Sequence, residues 1–312
     1  MDRRRIFCGL LGLFFVFSAG VARAYNIQDE INAASPGATI NIPDGTYNES
    51  VDVPDTLPGL IILGQSRDGT IVTNTSGSGF VIAADNVTIK NLTVKGYTTG
   101  RGIDFLSGGS MTKGLVDNVK ADDNGDGIAI FGVTATDFKI QNSQIINNVY
   151  SPSGIDISDS SNIQITNNQI TGNSIGVDLK GTTSNITLSS NTFGSNSEKD
   201  IYNDTPNSVT ATGNNWGGVS YATVQGRIFD RTDDASLGLI TVDSSAPIAS
   251  WTSPATNYTI SGTEDLIVTA TDDLAGVANV KFQYKQNNGS DTFHDLATIG
   301  SGPYQTAWNT AG

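Results

Sequence analysis

The sequence predicts an all-β chain: a right-handed parallel β-helix of roughly seven turns, then a smaller strand-rich module. Three observations predict it. Short apolar alternations recur with one shared period, Gly, Asn and Ser mark the corners between them, and no repeat has room for a helix of useful length.

The first 24 of the 312 residues read as a secretory signal: Asp2-Arg3-Arg4-Arg5, an apolar run from Ile6 to Phe17, and Ala22-Arg23-Ala24 as an A-x-A cleavage site. That run is too short to span a membrane, and no later stretch is apolar enough to do so. Residues 25–312 carry 13 basic and 30 acidic side chains, a net charge of −17. Such a surface repels the phosphate backbone, so nucleic acid is not an expected partner. Cys8 falls inside the signal, which excludes disulfides, thiol catalysis and cysteine-ligated metal from the mature chain. His294 is the sole histidine, so it alone would have to supply a triad or a histidine metal centre.

After the signal, Ile27-Gln-Asp-Glu-Ile31-Asn-Ala-Ala34 places apolar residues at helical spacing before Ser-Pro-Gly. A short helix there would cover the open end of the coil and its unpaired strand edges. Ile40-Asn-Ile42 and Leu60-Ile-Ile-Leu63 follow as early strands. Then comes the frame apolar-x-x-x-x-apolar, starting at Ile89, Val116, Ile140, Ile165, Leu188 and Ala211, in steps of 27, 24, 25, 23 and 23 residues. A second frame runs in phase with it: Gly102-Ile-Asp-Phe105, Gly127-Ile-Ala-Ile130, Gly154-Ile-Asp-Ile157 and Gly176-Val-Asp-Leu179. One such unit cannot bury its apolar side alone. Coiling stacks equivalent strands ~4.8 Å apart, and the inward Ile, Val, Leu and Phe then form a continuous column.

Fourteen of the 28 asparagines lie between Asn142 and Asn215, mostly at one corner of the repeat. Asn accepts the left-handed conformation of a sharp corner, and stacked amides bond along a column. Asn86, Asn91 and Asn185 also stand in N-x-S/T sequons, which matter only in a host that glycosylates. At the far end Trp216 and Tyr221 are expected to plug the column before Ile228–Ile240.

The opening (Ile27-Gln…Ala34-Ser-Pro-Gly-Ala-Thr-Ile40, then Pro43-Asp-Gly-Thr-Tyr47) resembles the start of pectin-lyase-like β-helix proteins. The Asn-rich repeats and Gly213-Asn-Asn-Trp-Gly217 resemble its NosD-like and carbohydrate-binding/sugar-hydrolase branch. This resemblance covers about residues 25–240 and implies the fold. It leaves activity open, since the group includes lyases, hydrolases, epimerases and non-catalytic surface proteins. The Gly-His-Gly of polygalacturonase-like enzymes and the Asp-Pro-His-Asp of epimerase-like β-helices are both missing, and one Met, one His and no Cys after residue 24 argue against a NosD-like copper role.

Composition shifts after Val242. The division expected is a signal at 1–24, the β-helix at 25–242, a linker at 243–247 and a second module at 248–312. Strand-like runs occur at Ile248–Thr252, Leu266–Thr271, Val277–Tyr284 and Tyr304–Trp308. With Ala246-Pro247, Ser253-Pro254, Ala270-Thr-Asp-Asp273 and Pro303-Tyr304, they resemble a bacterial immunoglobulin-like domain. A complete one takes ~100 residues and seven strands, so a truncated sandwich is expected. Such modules serve as spacers or adhesion units.

In the Gly-apolar-x-apolar frame, alternation turns Asp104, Asp156 and Asp178 onto one exposed sheet face, with Ala129 interrupting the column. Asp156 and Asp178 belong to successive turns, ~5 Å apart, and Lys180 shares their face. Such a pair can share a proton, hold Ca²⁺ or act as glycosidase acid/base and nucleophile, and the lysine can serve a lyase as base. A solvated acidic face without chemistry is the other reading. Asp104 and Tyr202 are candidate sugar contacts. Asp122, Asn124 and Asp126 fit D-x-N-x-D-G, the front of a calcium loop, but Val133 stands at the twelfth position in place of Glu. An Asn-Gly turn explains the same residues. Arg101 reads as an ordinary surface charge.

Two functions stay open. One is a secreted or cell-surface protein that binds extended polysaccharide or surface glycan, as a monomer or part of a larger surface protein, needing no cofactor, with Ca²⁺ as the only candidate ion. The other is a polysaccharide lyase or glycoside hydrolase acting on acidic polysaccharide through Asp156, Asp178 and Lys180.

Overall fold

A computed structural model describes residues 25–106, 111–151, 153–243, 247–255, 257, 259–272, 274, 276–285 and 292–310. The signal expected at 1–24 lies outside the described residues, as does most of the linker.

Residues 39–241 coil into a parallel β-helix with three sheets. Sheet A has nine strands, from Thr39–Ile42 to Ile240–Thr241. Sheet B has seven, from Gly45–Asn48 to Thr192–Gly194. Sheet C has eight, from Val51–Val53 to Ile228–Phe229. The inward residues stack in register: Ile128 on Ile155, Ile155 on Val177, Val177 on Ile201, each fully buried. Each such side chain contributes about 1.5–3 kcal/mol by leaving water. The frame glycines follow from the same stacking. A Cβ on Gly127 would lie 2.6 Å from the carbonyl oxygen of Gly154 on the next turn.

The corners divide their asparagines into two kinds. Asn118, Asn142, Asn147 and Asn167 adopt positive φ and turn the chain. The residue that follows such a corner position points inward, and where it is Asn it joins a buried ladder. Asn124 donates to Asn148 (3.1 Å), Asn148 to Asn173 (2.9 Å) and Asn173 to Asn196 (3.2 Å). The asparagines are not confined to one corner as expected: a second ladder, at a second corner, runs from Asn168 through Asn191 to Asn214 at 3.0 Å per step. Each amide also donates to a backbone carbonyl, as Asn173 does to Ile145, so the corner has no orphaned polar group.

Helix α1 (Ile27–Asn32), capped by Asn26, closes the first turn by burying Ile27 and Ile31. At the far end Trp216 is buried and stacks on Phe193 at 4.7 Å between ring centroids. Tyr221 does not plug the column. It opens α2 (Tyr221–Gly226) and is 37% exposed, because the face of that short helix buried in the core carries Val224.

The C-terminal module pairs Ile248–Ser253, Thr263–Thr271 and Tyr304–Asn309 in one antiparallel sheet, and Val280–Tyr284 with His294–Ile299 in another. The strand His294–Ile299 escapes sequence patterning because Leu296-Ala297 breaks the alternation. Among the described residues of this module only Leu266 and Phe282 are buried hydrophobics.

Candidate functional site

Sheet C presents one outward column through six successive turns: Asp104, Ala129, Asp156, Asp178, Tyr202 and Phe229, each in register with the next. At the strand spacing it is about 24 Å long. Asp156 and Asp178 are therefore neighbours across the stack, and the Lys180 ammonium reaches both, at 3.2 and 2.8 Å.

The face is not solvated as expected. Asp104, Asp156 and Asp178 are only 4%, 7% and 2% exposed. Two long side chains reach across them. Lys180 spans Asp156 and Asp178. Arg101 pairs with Asp104 at 2.9 Å and with Asp126 at 3.3 Å, and its guanidinium lies 4.5 Å from the Phe131 ring centre. Ser153 completes the cluster, donating its hydroxyl to Asp178 and its N–H to Asp126.

Burial sets the charge balance. It pushes the Asp126 carboxyl up to about 6, with the charge of Asp156 acting the same way against Arg101 and the Ser153 N–H. Burial also raises Asp104 and Asp178 against the pull of their cations. Lys180 is held above the ordinary lysine value: burial opposes its charge, but Asp178 and Asp156 outweigh that. One oxygen of each of Asp104, Asp156 and Asp178 remains buried without a hydrogen-bond partner.

At its C-terminal end the column becomes aromatic. Tyr202 and Phe229 stack with centroids 4.4 Å apart and planes 7° from parallel, both half-buried. Sequence reasoning found Tyr202 but missed Phe229, and also missed Arg101, Asp126 and Ser153 as members of the site. A signal for the last three was present: each precedes the frame glycine, so Arg101 stacks on Asp126 in register.

The side chains of Asp122, Asn124 and Asp126, the calcium-loop candidates, diverge. Asn124 is fully buried in the amide ladder and accepts from the Tyr97 N–H. Asp122 pairs with Lys120 and Asn147, and Asp126 with Arg101. Among the described residues no group of three or more His, Cys, Asp or Glu side chains is placed to hold a metal ion. His294 sits in the C-terminal module beside the Tyr284 ring. No described helix is long and apolar enough to cross a membrane.

Residues 58–216 match the right-handed β-helix region family, and residues 247–312 match a bacterial Ig domain. Among solved structures the chain is similar to an alginate lyase from Paenibacillus sp. str. FPU-7 (16% identity, 69% of this chain and 76% of that one, TM-score 0.42). It is also similar to a pectin methylesterase from carrot (13%, 70% and 84%, TM-score 0.40) and to the A-module of the Azotobacter vinelandii mannuronan C-5 epimerase AlgE6 (16%, 66% and 76%, TM-score 0.35). No curated protein matches. At these identities the likeness concerns the fold alone.

Proposed function

The chain belongs to the right-handed β-helix family, and from that premise we propose that it is an extracellular or surface-displayed protein that binds extended polysaccharide along the outward face of sheet C, without cleaving it. The observation that carries this reading is the register of the column. A half-buried aromatic pair, apolar surface against which a sugar ring can pack, continues in register into the carboxylate column on successive turns. A linear polymer lying along the axis meets the rings and then Lys180 and Arg101, which the buried carboxylates hold in place. The signal-like start and the Ig-like module fit a display role.

The state of Lys180 favours binding over chemistry. A lyase base must be unprotonated at working pH, whereas Lys180 is an ammonium clamped between two carboxylates that raise its pKa. The same clamp occupies both carboxylates of the Asp156/Asp178 pair.

The test is a panel of neutral, acidic and amino polysaccharides, with and without Ca²⁺, read by affinity electrophoresis and by mass spectrometry of products. Retardation by at least one polymer, weakened by Tyr202→Ala with the polymer intact, is the expected result. Cleavage lost in Asp178→Asn or Lys180→Ala would overturn it and establish a hydrolase or lyase. Intact, unretarded polymers throughout would remove the polysaccharide reading altogether.

A further inference from the structure

The aromatic pair stands among carboxylates. Asp178 is its register neighbour, and Asp204, exposed, lies two residues beyond Tyr202 on the same face. Asp233, also exposed, lies in the turn directly after the Phe229 strand, where it accepts the Asp230 N–H, and its charge joins those of Asp204 and Asp178, behind burial, in raising the Tyr202 phenol.

The nearby cations are already engaged. Lys180 is held by Asp156 and Asp178. Lys199 donates to the carbonyls of Gly226 and Ile228, Arg227 pairs with Asp200, and Arg231 donates to the Leu237 carbonyl. Acceptors are in surplus. One Asp178 oxygen, on a residue 2% exposed, has no partner, and the same holds for Asp156 and Asp104 further along the column.

Resting on the polysaccharide reading above, we infer that the sugar taken by the Tyr202–Phe229 platform carries protonated amines: an amino-sugar polymer of the poly-glucosamine class rather than a polyuronide. An ammonium near an aromatic face gains from the ring quadrupole, and a carboxylate at its rim adds a charge-assisted hydrogen bond. A uronate at the same place would face the exposed carboxylates of Asp204 and Asp233, and would approach a chain of formal charge −14. The polyanion that a lyase on this face would need is therefore the ligand the face repels.

The probes are hexasaccharides of glucosamine, N-acetylglucosamine and galacturonate, titrated calorimetrically against the full chain in mildly acidic, low-salt buffer. The glucosamine oligomer is expected to bind about tenfold tighter than either other probe, and to weaken about tenfold in Asp204→Asn/Asp233→Asn. Both positions are exposed, and Asn keeps an oxygen with which residue 233 can accept the Asp230 N–H, so the melting temperature should stay put. Glu30→Gln/Asp55→Asn, which removes the same charge from the first turns of the coil, should leave the affinity unchanged. If this control weakens binding equally, the attraction is only that of a polycation for an acidic protein, and the inference is wrong. If the acetylated or acidic oligomer binds tighter and Tyr202→Ala abolishes that binding, the polysaccharide reading stands and the amino-sugar inference falls. If no oligomer binds, both fall.

Discussion

In the solenoid Ile128, Ile155, Val177 and Ile201 stack at 0% exposure, whereas in the C-terminal module Ile248 is 74%, Phe293 62% and Trp251 52% exposed. Both regions are built from short strands with alternating apolar residues. They differ in what one strand needs in order to be buried. In the coil each turn is covered by the turns beside it, so the core grows by repetition and one helix closes its first end. In a sandwich every strand depends on the opposite sheet, and five strands among the described residues leave much of the inner surface open.

Core truncation should expose this difference most strongly. Phe138→Ala removes a fully buried ring that packs edge-on against Phe105 at 4.9 Å, and should cost about 3–5 kcal/mol in urea unfolding of the full chain. Ile248→Ala in the module should change stability by less than about 0.5 kcal/mol. Equal losses would mean that the module is packed as tightly as the coil, and the contrast would fail.

A smaller effect separates two glycines. Gly127→Ala drives a Cβ to 2.6 Å from the Gly154 carbonyl oxygen, with the Asn148 amide at 2.8 Å, for an expected loss of about 2–3 kcal/mol. Gly300→Ala in the module meets nothing within 4 Å and should melt like the parent.

The amide ladders give the third contrast. Asn173→Ala strands the Asn148 N–H and side-chain amide, which now donate to Asn173 at 3.0 and 2.9 Å, and should cost about 2 kcal/mol. Gln283→Ala, which loses an exposed hydrogen bond to Asp295, should fall within about 0.5 kcal/mol of wild type.

The smallest expected difference is one of sign. Asp126, facing Arg101, Asp156 and the Ser153 N–H, has its folded-state pKa raised from 3.8 to about 6. Between those values the folded state holds a proton that the unfolded state has lost, so the charge on Asp126 destabilises above about pH 6. That cost fades as pH falls towards 4. Asp126→Asn should therefore be more stable than wild type by about 1 kcal/mol at pH 8, with the gap closing on acidification. Asp295 in the module is lowered by Gln283 and Lys281, so its contribution is present at neutral pH and is lost as pH falls through its folded value. Melting temperatures of Asp126→Asn and Asp295→Asn across pH 4–8 measure this, and parallel profiles would erase the distinction.

The capping helix, the stacking of Asp156 on Asp178 and the reach of Lys180 to their face were all legible in the residues, because each follows from spacing along one or two turns. The burial of those carboxylates was not. Arg101 looks like an ordinary surface charge until its guanidinium is seen over Phe131, bridging Asp104 and Asp126. The run Asp122–Asp126 shows the opposite case. Its local pattern suits a cation loop, but the long-range pull of the amide ladder takes Asn124 inward.

The sequence by itself determined the coil, the inward column and the outward one, since repetition at a fixed period leaves only one way to hide the same face every turn. Tertiary structure alone decided which outward groups stay wet, which cations cover the carboxylates and which ring completes the platform beside Tyr202. Those outcomes depend on side chains from different turns reaching across a surface. Phe229 stands outside the repeating frames, and no spacing in the chain announces where it will stack.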